Sequence, residues 1–212
     1  MRSSFTWQDQ LIAALDQGLR TLTSTPSSAR PSPAQGLEEP PLTNAERRRS
    51  AALLRVNHAG EMAAQALYSG QTLVARSATT RQQLHDAAQE ERDHLAWCAQ
   101  RLAELGGHAS LLDPIWYAGS FCVGVAAGSL GDPTSLGFIE ETERQVEAHL
   151  QDHLKRLPAA DGKSNAILLR MAEDEAHHGT TARLAGGRSL PFLARRGMAF
   201  GGGLLRRIAL FL

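Results

Sequence analysis

Thiols, strand-forming runs and a net charge are all missing or scarce in this chain of 212 residues. Its two cysteines, Cys98 and Cys122, have neither the number nor the spacing of a disulfide framework or a zinc site, which points to a reducing compartment. β-branched residues are few and nothing alternates with period two over a useful length, so strand signals are almost absent. No glycine-rich dinucleotide fingerprint is present, and any nicotinamide would have to bind without a Rossmann unit. Met1 to Thr23 contains Asp9 and Asp16 and no uninterrupted apolar run, which excludes a secretory signal and leads to the expectation of a cytosolic address. Lys plus Arg (22) balance Asp plus Glu (22), an average that favours neither a nucleic acid nor an acidic partner.

The distribution of charge says more than its total. Glu175 is the last acidic residue, and the six arginines after it (Arg183, Arg188, Arg195, Arg196, Arg206 and Arg207) leave residues 1–175 with 16 basic against 22 acidic groups. Residues 114–131 are 18 uncharged positions between Asp113 and Asp132, at the lower limit for crossing a bilayer, and Pro114 with four glycines weakens that reading. At 42% hydrophobic the chain can bury a core, and its length suits one domain.

Residues 24–41 hold five of the nine prolines among Ser, Ala and Gln, the composition of a flexible linker. The expected division is therefore an N-terminal extension and linker over 1–42 and a folded domain over 43–212. Thr43 or Asn44 with Glu46 could cap a helix running to about Ser77. Three more helical segments follow, at about 80–106 (ended by Gly106-Gly107), 134–157 (ended by Pro158) and 163–185 (ended by Gly186-Gly187). The first and last links are short and the middle one is nearly thirty residues, so the topology expected is two antiparallel hairpins joined by a lengthwise crossover.

Followed at heptad spacing, each helix has an apolar line interrupted by a carboxylate. The second reads Leu84, Ala88, Glu91, Leu95, Cys98, Leu102, Leu105; the third Ile139, Glu143, Val146, Leu150, then His153 or Leu154; the fourth Leu168, Met171, Glu175, His178, Ala182. On the first helix Leu54, Asn57, Glu61, Ala64, Tyr68 competes with a more apolar line, Leu53, Val56, Gly60, Ala63, Leu67, which leaves Glu61 open at this point. A buried ionised carboxylate costs several kcal/mol unless paired or bound to a cation. Each hairpin supplies one Glu and then, about thirty residues on, a Glu-x-x-His: Glu61 with Glu91 and His94, Glu143 with Glu175 and His178. Four carboxylates and two imidazoles are the ligand set of a di-iron or di-manganese carboxylate bundle, and two divalent ions would cancel the four negative charges. The plainer alternative is a set of solvated faces paired with Arg144, Lys155 or Arg170.

The segments Leu54-Arg-Val-Asn-His-Ala-Gly-Glu61, Glu90-Glu-Arg-Asp-His94-Leu, Glu141-Thr-Glu-Arg-Gln-Val-Glu-Ala-His149-Leu and Glu173-Asp-Glu-Ala-His-His178 resemble the Coq7 family of 3-demethoxyubiquinol 3-hydroxylases over about residues 43–212. The resemblance implies an all-α, ferritin-like four-helix bundle with an amphipathic C-terminal segment. It also implies two irons held by Glu61, Glu91, His94, Glu143, Glu175 and His178, with Glu91 and Glu175 as bridges, and a role for no other side chain as nucleophile. The implied reaction is hydroxylation of the quinol ring of demethoxyubiquinol with O2, using electrons from NADH or the quinol itself. His58 and His149 stand as candidates for support of the ligands or for proton and electron transfer. A polyprenyl substrate implies peripheral contact with the cytoplasmic face of a bacterial inner membrane, through residues 114–131 and the arginine-rich C-terminus. No nucleic acid is expected as a partner, whereas self-association and contact with other ubiquinone-biosynthesis proteins fit the same reading. Its rivals are a tRNA hydroxylase or manganese catalase of similar fold, and a non-enzymatic iron-binding bundle.

Overall fold

The computed structural model describes residues 7–212, except for the side chain of Gln10, so residues 1–6 of the expected N-terminal extension lie outside the described residues. Seven helices follow in order: α1 Trp7–Thr23, α2 Asn44–Val74, α3 Ala78–Glu104, α4 Asp113–Ser129, α5 Asp132–Arg156, α6 Gly162–Leu184 and α7 Phe192–Ala209. The four helices expected from the sequence are α2, α3, α5 and α6. Thr43 and Glu46 form the reciprocal capping box that starts α2, each side chain bonding the other's backbone N–H. Ser77 caps α3 and Asp161 caps α6, while left-handed Gly106 and Gly186 turn the chain just after α3 and α6.

α2 pairs with α3 and α5 with α6, and the long middle link becomes α4, laid against α2. Tyr117 meets Met62 and Ala66, while Gly128 meets Gln71 and Val74, so α4 runs in the same direction as α2 and returns the chain lengthwise before α5 begins. The approach is close because glycines face each other. A Cβ on Gly124 would strike the Leu67 carbonyl, and one on Gly70 the Phe121 carbonyl. Among the described residues no helix is long and apolar enough to cross a membrane. α1 rests on α2 and α4, and α7 rests on α2 and α5.

The composition of residues 24–41 suggests a flexible linker, but the chain there is a strap packed on the bundle. Ala34 and Leu42 lie against the core of Leu54, Trp97, Leu102 and Leu168. Two charged clasps hold it. Arg30 reaches Asp93 and Asp174, and Glu39 meets the buried Arg101, which also holds Asp161 and Ser164. Proline-rich composition removes backbone donors and helical periodicity; it does not prevent side chains elsewhere in the segment from forming ion pairs with distant helices.

α2 and α5 are joined by a polar contact inside the bundle. The His149 Nε2–H and His153 Nδ1–H groups both donate to Asn57 Oδ1, each at 3.0 Å, with the two rings edge to face 3.9 Å apart. Burial, the neighbouring imidazole and the cations of Arg206 and Arg156 push His149 down to about 2. Burial with Arg156 and Arg206, against Asp152, pushes His153 down to about 4.

Two expectations follow. Gly124→Val should destabilise the protein by about 1–3 kcal/mol, because backbone atoms cannot yield to the added carbons. Gly119→Ala, on the open side of the same helix where a Cβ meets nothing within 4 Å, should leave stability unchanged or raise it by about 0.5–1 kcal/mol. Thermal melts that move equally for both would contradict this packing. The histidine pair is neutral in the fold but protonates in the unfolded chain below about pH 6.5, so its contribution is flat above that pH and lost as pH falls toward 4. At pH 5 the loss should be on the order of 1–2 kcal/mol per imidazole. Between pH 7.5 and 5 the melting temperature of the His149→Gln/His153→Gln variant should fall less than that of the wild type; equal falls would contradict the assignment.

Candidate metal centre

The apolar lines and their interruptions point inward as the heptad spacing suggests. Leu84, Ala88, Glu91, Leu95, Cys98, Leu102 and Leu105 are all buried, as are Ile139, Glu143 and Leu150 on α5 and Leu168, Met171, Glu175, His178 and Ala182 on α6. On α2 both competing lines are covered. Leu53, Val56 and Leu67 are buried like Leu54, with Gly60 and Ala63 partly covered, because α4 and α7 pack on α2 in addition to α3 and α5. Glu61 nonetheless joins the cluster and is 2% exposed.

Six side chains meet in two overlapping groups. Ligand atoms of Glu61, Glu91, His94 and Glu175 lie within 4.8 Å of one another, and so do those of Glu91, Glu143, Glu175 and His178. Glu91 and Glu175 belong to both. His94 Nδ1 is 3.1 Å from Glu91, 3.3 Å from Glu175 and 3.8 Å from Glu61. His178 Nδ1 is 3.4 Å from Glu91 and 3.5 Å from Glu175. The cluster sits between two apolar cores, one of Leu54, Trp97, Cys98, Leu150 and Met171, the other of Tyr68, Leu84, Leu136, Ile139 and Ala182.

This arrangement fits a pair of divalent cations. Glu91 Oε1, Glu143 Oε1, both oxygens of Glu175 and both nitrogens of His178 are buried without a hydrogen-bond partner, a concentration of unpaired ligand atoms in one place that calls for a counter-ion. Burial pushes the Glu61 and Glu143 carboxyls well above the ordinary range, and the Glu175 carboxylate nearby pushes both the same way. Despite its own burial, Glu91 is held below that range by His94 and His178, and Glu175 is lowered by His178 and His94. The imidazoles respond in kind: burial opposes their charge, but Glu91 leads the contacts that raise His94 and Glu175 leads those that raise His178. Two imidazolium ions can balance only two of four carboxylates, whereas two divalent ions balance all four. Oxygen and imidazole donors without thiolates suit iron or manganese. Arg144 pairs with Glu141, and Arg170 with Glu173 and Asp174, so neither neutralises the four buried glutamates.

His58 faces Asp113 at 3.2 Å across the α2–α4 contact, and His149 is taken up by Asn57; neither belongs to the carboxylate cluster. Asp174 and Glu90 were not singled out from the sequence. Asp174 Oδ2 accepts from His94 Nε2 at 2.9 Å, and Glu90 Oε2 is 3.6 Å from His178 Nε2. Each is the residue just before a central glutamate; Asp174 is hydrogen-bonded to the imidazole of the opposite motif and Glu90 lies beside it, so the pattern acid-Glu-x-x-His, present twice, was the available signal. Arg30, in the strap, carried no periodic signal at all.

The chain resembles known proteins over nearly its whole length. The family profile of ubiquinone biosynthesis protein COQ7 matches residues 48–201. The 3-demethoxyubiquinol 3-hydroxylase of Nitrosomonas eutropha is 53% identical over 201 residues, covering 95% of this chain and 97% of that protein. The enzyme of the same name from Herminiimonas arsenicoxydans is 52% identical over 190 residues, 90% of each chain. A match spanning 95% takes in most of residues 1–42, which the motifs alone leave outside the resemblance. Among solved structures, a dodecameric thioferritin, the bacterioferritin-related protein of Bacteroides fragilis, aligns with a TM-score of 0.56 at 19% identity, over 73% of this chain and 91% of that one. That likeness establishes the ferritin-like architecture. With the profile spanning the helices that carry all six clustered side chains, this chain belongs to the COQ7 family of ubiquinone biosynthesis proteins.

Proposed function

We propose that the six clustered residues hold two iron ions and that the protein hydroxylates the quinol ring of demethoxyubiquinol in ubiquinone biosynthesis. The observation that carries the reading is the placement of two overlapping Glu/His groups at the centre of a COQ7-family bundle, with the two motif glutamates common to both. The reaction consumes O2 and two electrons: one oxygen atom enters the ring C–H bond as hydroxyl, the other leaves as water. Bound iron supplies oxygen activation. The chain supplies the rest. Glu61, Glu91, Glu143, Glu175, His94 and His178 would hold the ions, Asp174 orients the His94 imidazole while Glu90 sets negative charge beside that of His178, and the two apolar cores keep bulk water from the site. Electrons come from NADH or the reduced quinol. Membership of the COQ7 family weighs against the tRNA-hydroxylase, manganese-catalase and iron-storage alternatives.

Quinone profiling by mass spectrometry tests the reaction. A strain lacking the protein should accumulate demethoxyubiquinone, cleared by wild type and by Glu147→Ala but not by Glu91→Ala. Unchanged ubiquinone in the deletion strain would overturn the reading.

A polyprenyl substrate requires access from lipid, and we place the contact on α4 and α7. The Leu111 N–H bonds the Leu212 carbonyl, which brings the start of α4 beside the end of the chain. Leu111, Ile115, Phe211 and Leu212 are all exposed there, with Phe192, Leu193 and Phe200 exposed along α7 beside Arg195 and Arg196. Apolar residues interspersed with arginine suit the surface of an anionic leaflet. Wild type should float with liposomes containing anionic lipid, and Leu111→Glu/Phe211→Glu should remain behind; a wild type wholly unbound with or without anionic lipid would overturn this placement.

A further inference from the structure

We propose that Arg30, a residue outside the four-helix bundle, is a positioning residue for both imidazole ligands of the metal pair. The inference rests on the di-metal reading above. The guanidinium lies over the gap between α3 and α6. Its Nε donates to Asp93 Oδ2 at 2.7 Å, and its Nη1 reaches Asp174 Oδ2 at 2.9 Å and Glu90 Oε2 at 3.2 Å. The same Asp174 oxygen faces His94 Nε2, and the same Glu90 oxygen faces His178 Nε2. One Nη1 therefore touches both carboxylates that face the outer nitrogens of the two imidazoles.

One further contact holds the guanidinium and two hold the backbone beside it. The guanidinium stacks 4.9 Å from the centre of the Trp97 ring, the Trp97 indole N–H points to the Arg30 carbonyl, and the Ala29 N–H donates to Asp93 Oδ1 at 2.7 Å. Asp174 has a second cation, Arg170 at 2.6 Å, but on its other oxygen, so Arg170 anchors the carboxylate without aiming the oxygen that serves His94. No other arginine or lysine is paired with Glu90 among the described residues. A planar fork can span these acceptors at once; a lysine ammonium is a single point. Metal-bound imidazoles depend on an outer carboxylate to fix their tautomer and ring direction, and loss of such support typically weakens metal binding by about 10- to 100-fold.

The test is cobalt(II) binding by the full-length protein under anaerobic chelator competition, with thermal melts of the protein prepared without metal. Arg30→Gln should weaken cobalt binding by up to about tenfold, the lower end of what loss of a direct imidazole partner costs. It should also accelerate solvent exchange of the downfield imidazole N–H resonances in the cobalt-loaded protein, a signal that a role only in holding the strap would not move. Arg30→Lys should fall between Arg30→Gln and wild type. Glu39→Gln loosens the strap at its other clasp and should keep wild-type affinity. Affinity and exchange unchanged in Arg30→Gln and Arg30→Lys would overturn the proposal; if Arg30→Gln does not fold, Arg30→Lys decides alone. Failure of wild type to bind two ions would instead sink the di-metal reading on which the proposal rests.

Discussion

Four carboxylates and two imidazoles buried at one level of a helical bundle dictate much of the remaining design. Each ionised group moved into a poorly polarisable interior loses several kcal/mol of hydration, and no arrangement of six such groups is self-sufficient unless opposite charge is brought among them. Helices meet the first demand, since they satisfy their own backbone and can place one side chain each at a chosen height without exposing peptide groups. Two apolar cores, one on either side of the cluster, then provide the burial that sets against the cost. The cations that appear nearby, Arg30, Arg144 and Arg170, bind carboxylates one layer out and leave the central four with their inward-facing oxygens available.

That outer layer explains why part of the site was legible in the sequence and part was not. α3, α5 and α6 each have one buried face and one solvated face, so Glu91, Glu143 and Glu175 stood out as polar breaks in apolar lines. α2 is covered by α3, α4, α5 and α7 together. Its two candidate lines are consequently both largely covered, and periodicity cannot say which of them faces the carboxylate cluster. Asp174 and Glu90 look in sequence like ordinary helix-surface acids; only the approach of the opposite hairpin gives them imidazoles to hold. The strap was least legible because it has no repeat: it is held by ion pairs to residues more than fifty positions away, such as Arg30 to Asp174 and Glu39 to Arg101.

The crossover shows the same limit from the other side. Its uncharged, glycine-rich composition suggested a segment at a lipid interface, and Ile115 and Val123 are exposed. Yet Gly124 and Gly128 exist for protein packing, letting α4 approach α2 to backbone contact. One short helix thus combines two requirements, Tyr117 and the glycines packed toward α2 and Ile115 and Val123 outward, and a composition average merges them.

The four helices that carry the Glu/His cluster account for half of the chain. A protein that needed only to hold two ions could stop there, since a ferritin-like bundle at 19% identity preserves the architecture without fixing a reaction. The other half is the strap, α1, α4, α7 and the turns. These parts do two things the bundle cannot do for itself. The strap closes the α3–α6 side, where Arg30 fixes the carboxylates behind both histidines. α4 and α7 close the α2 side and carry the exposed apolar groups that a bilayer-resident substrate would require. The parts of this fold that a bare bundle lacks are therefore the ones in contact with both the Glu/His cluster and the exposed apolar surface.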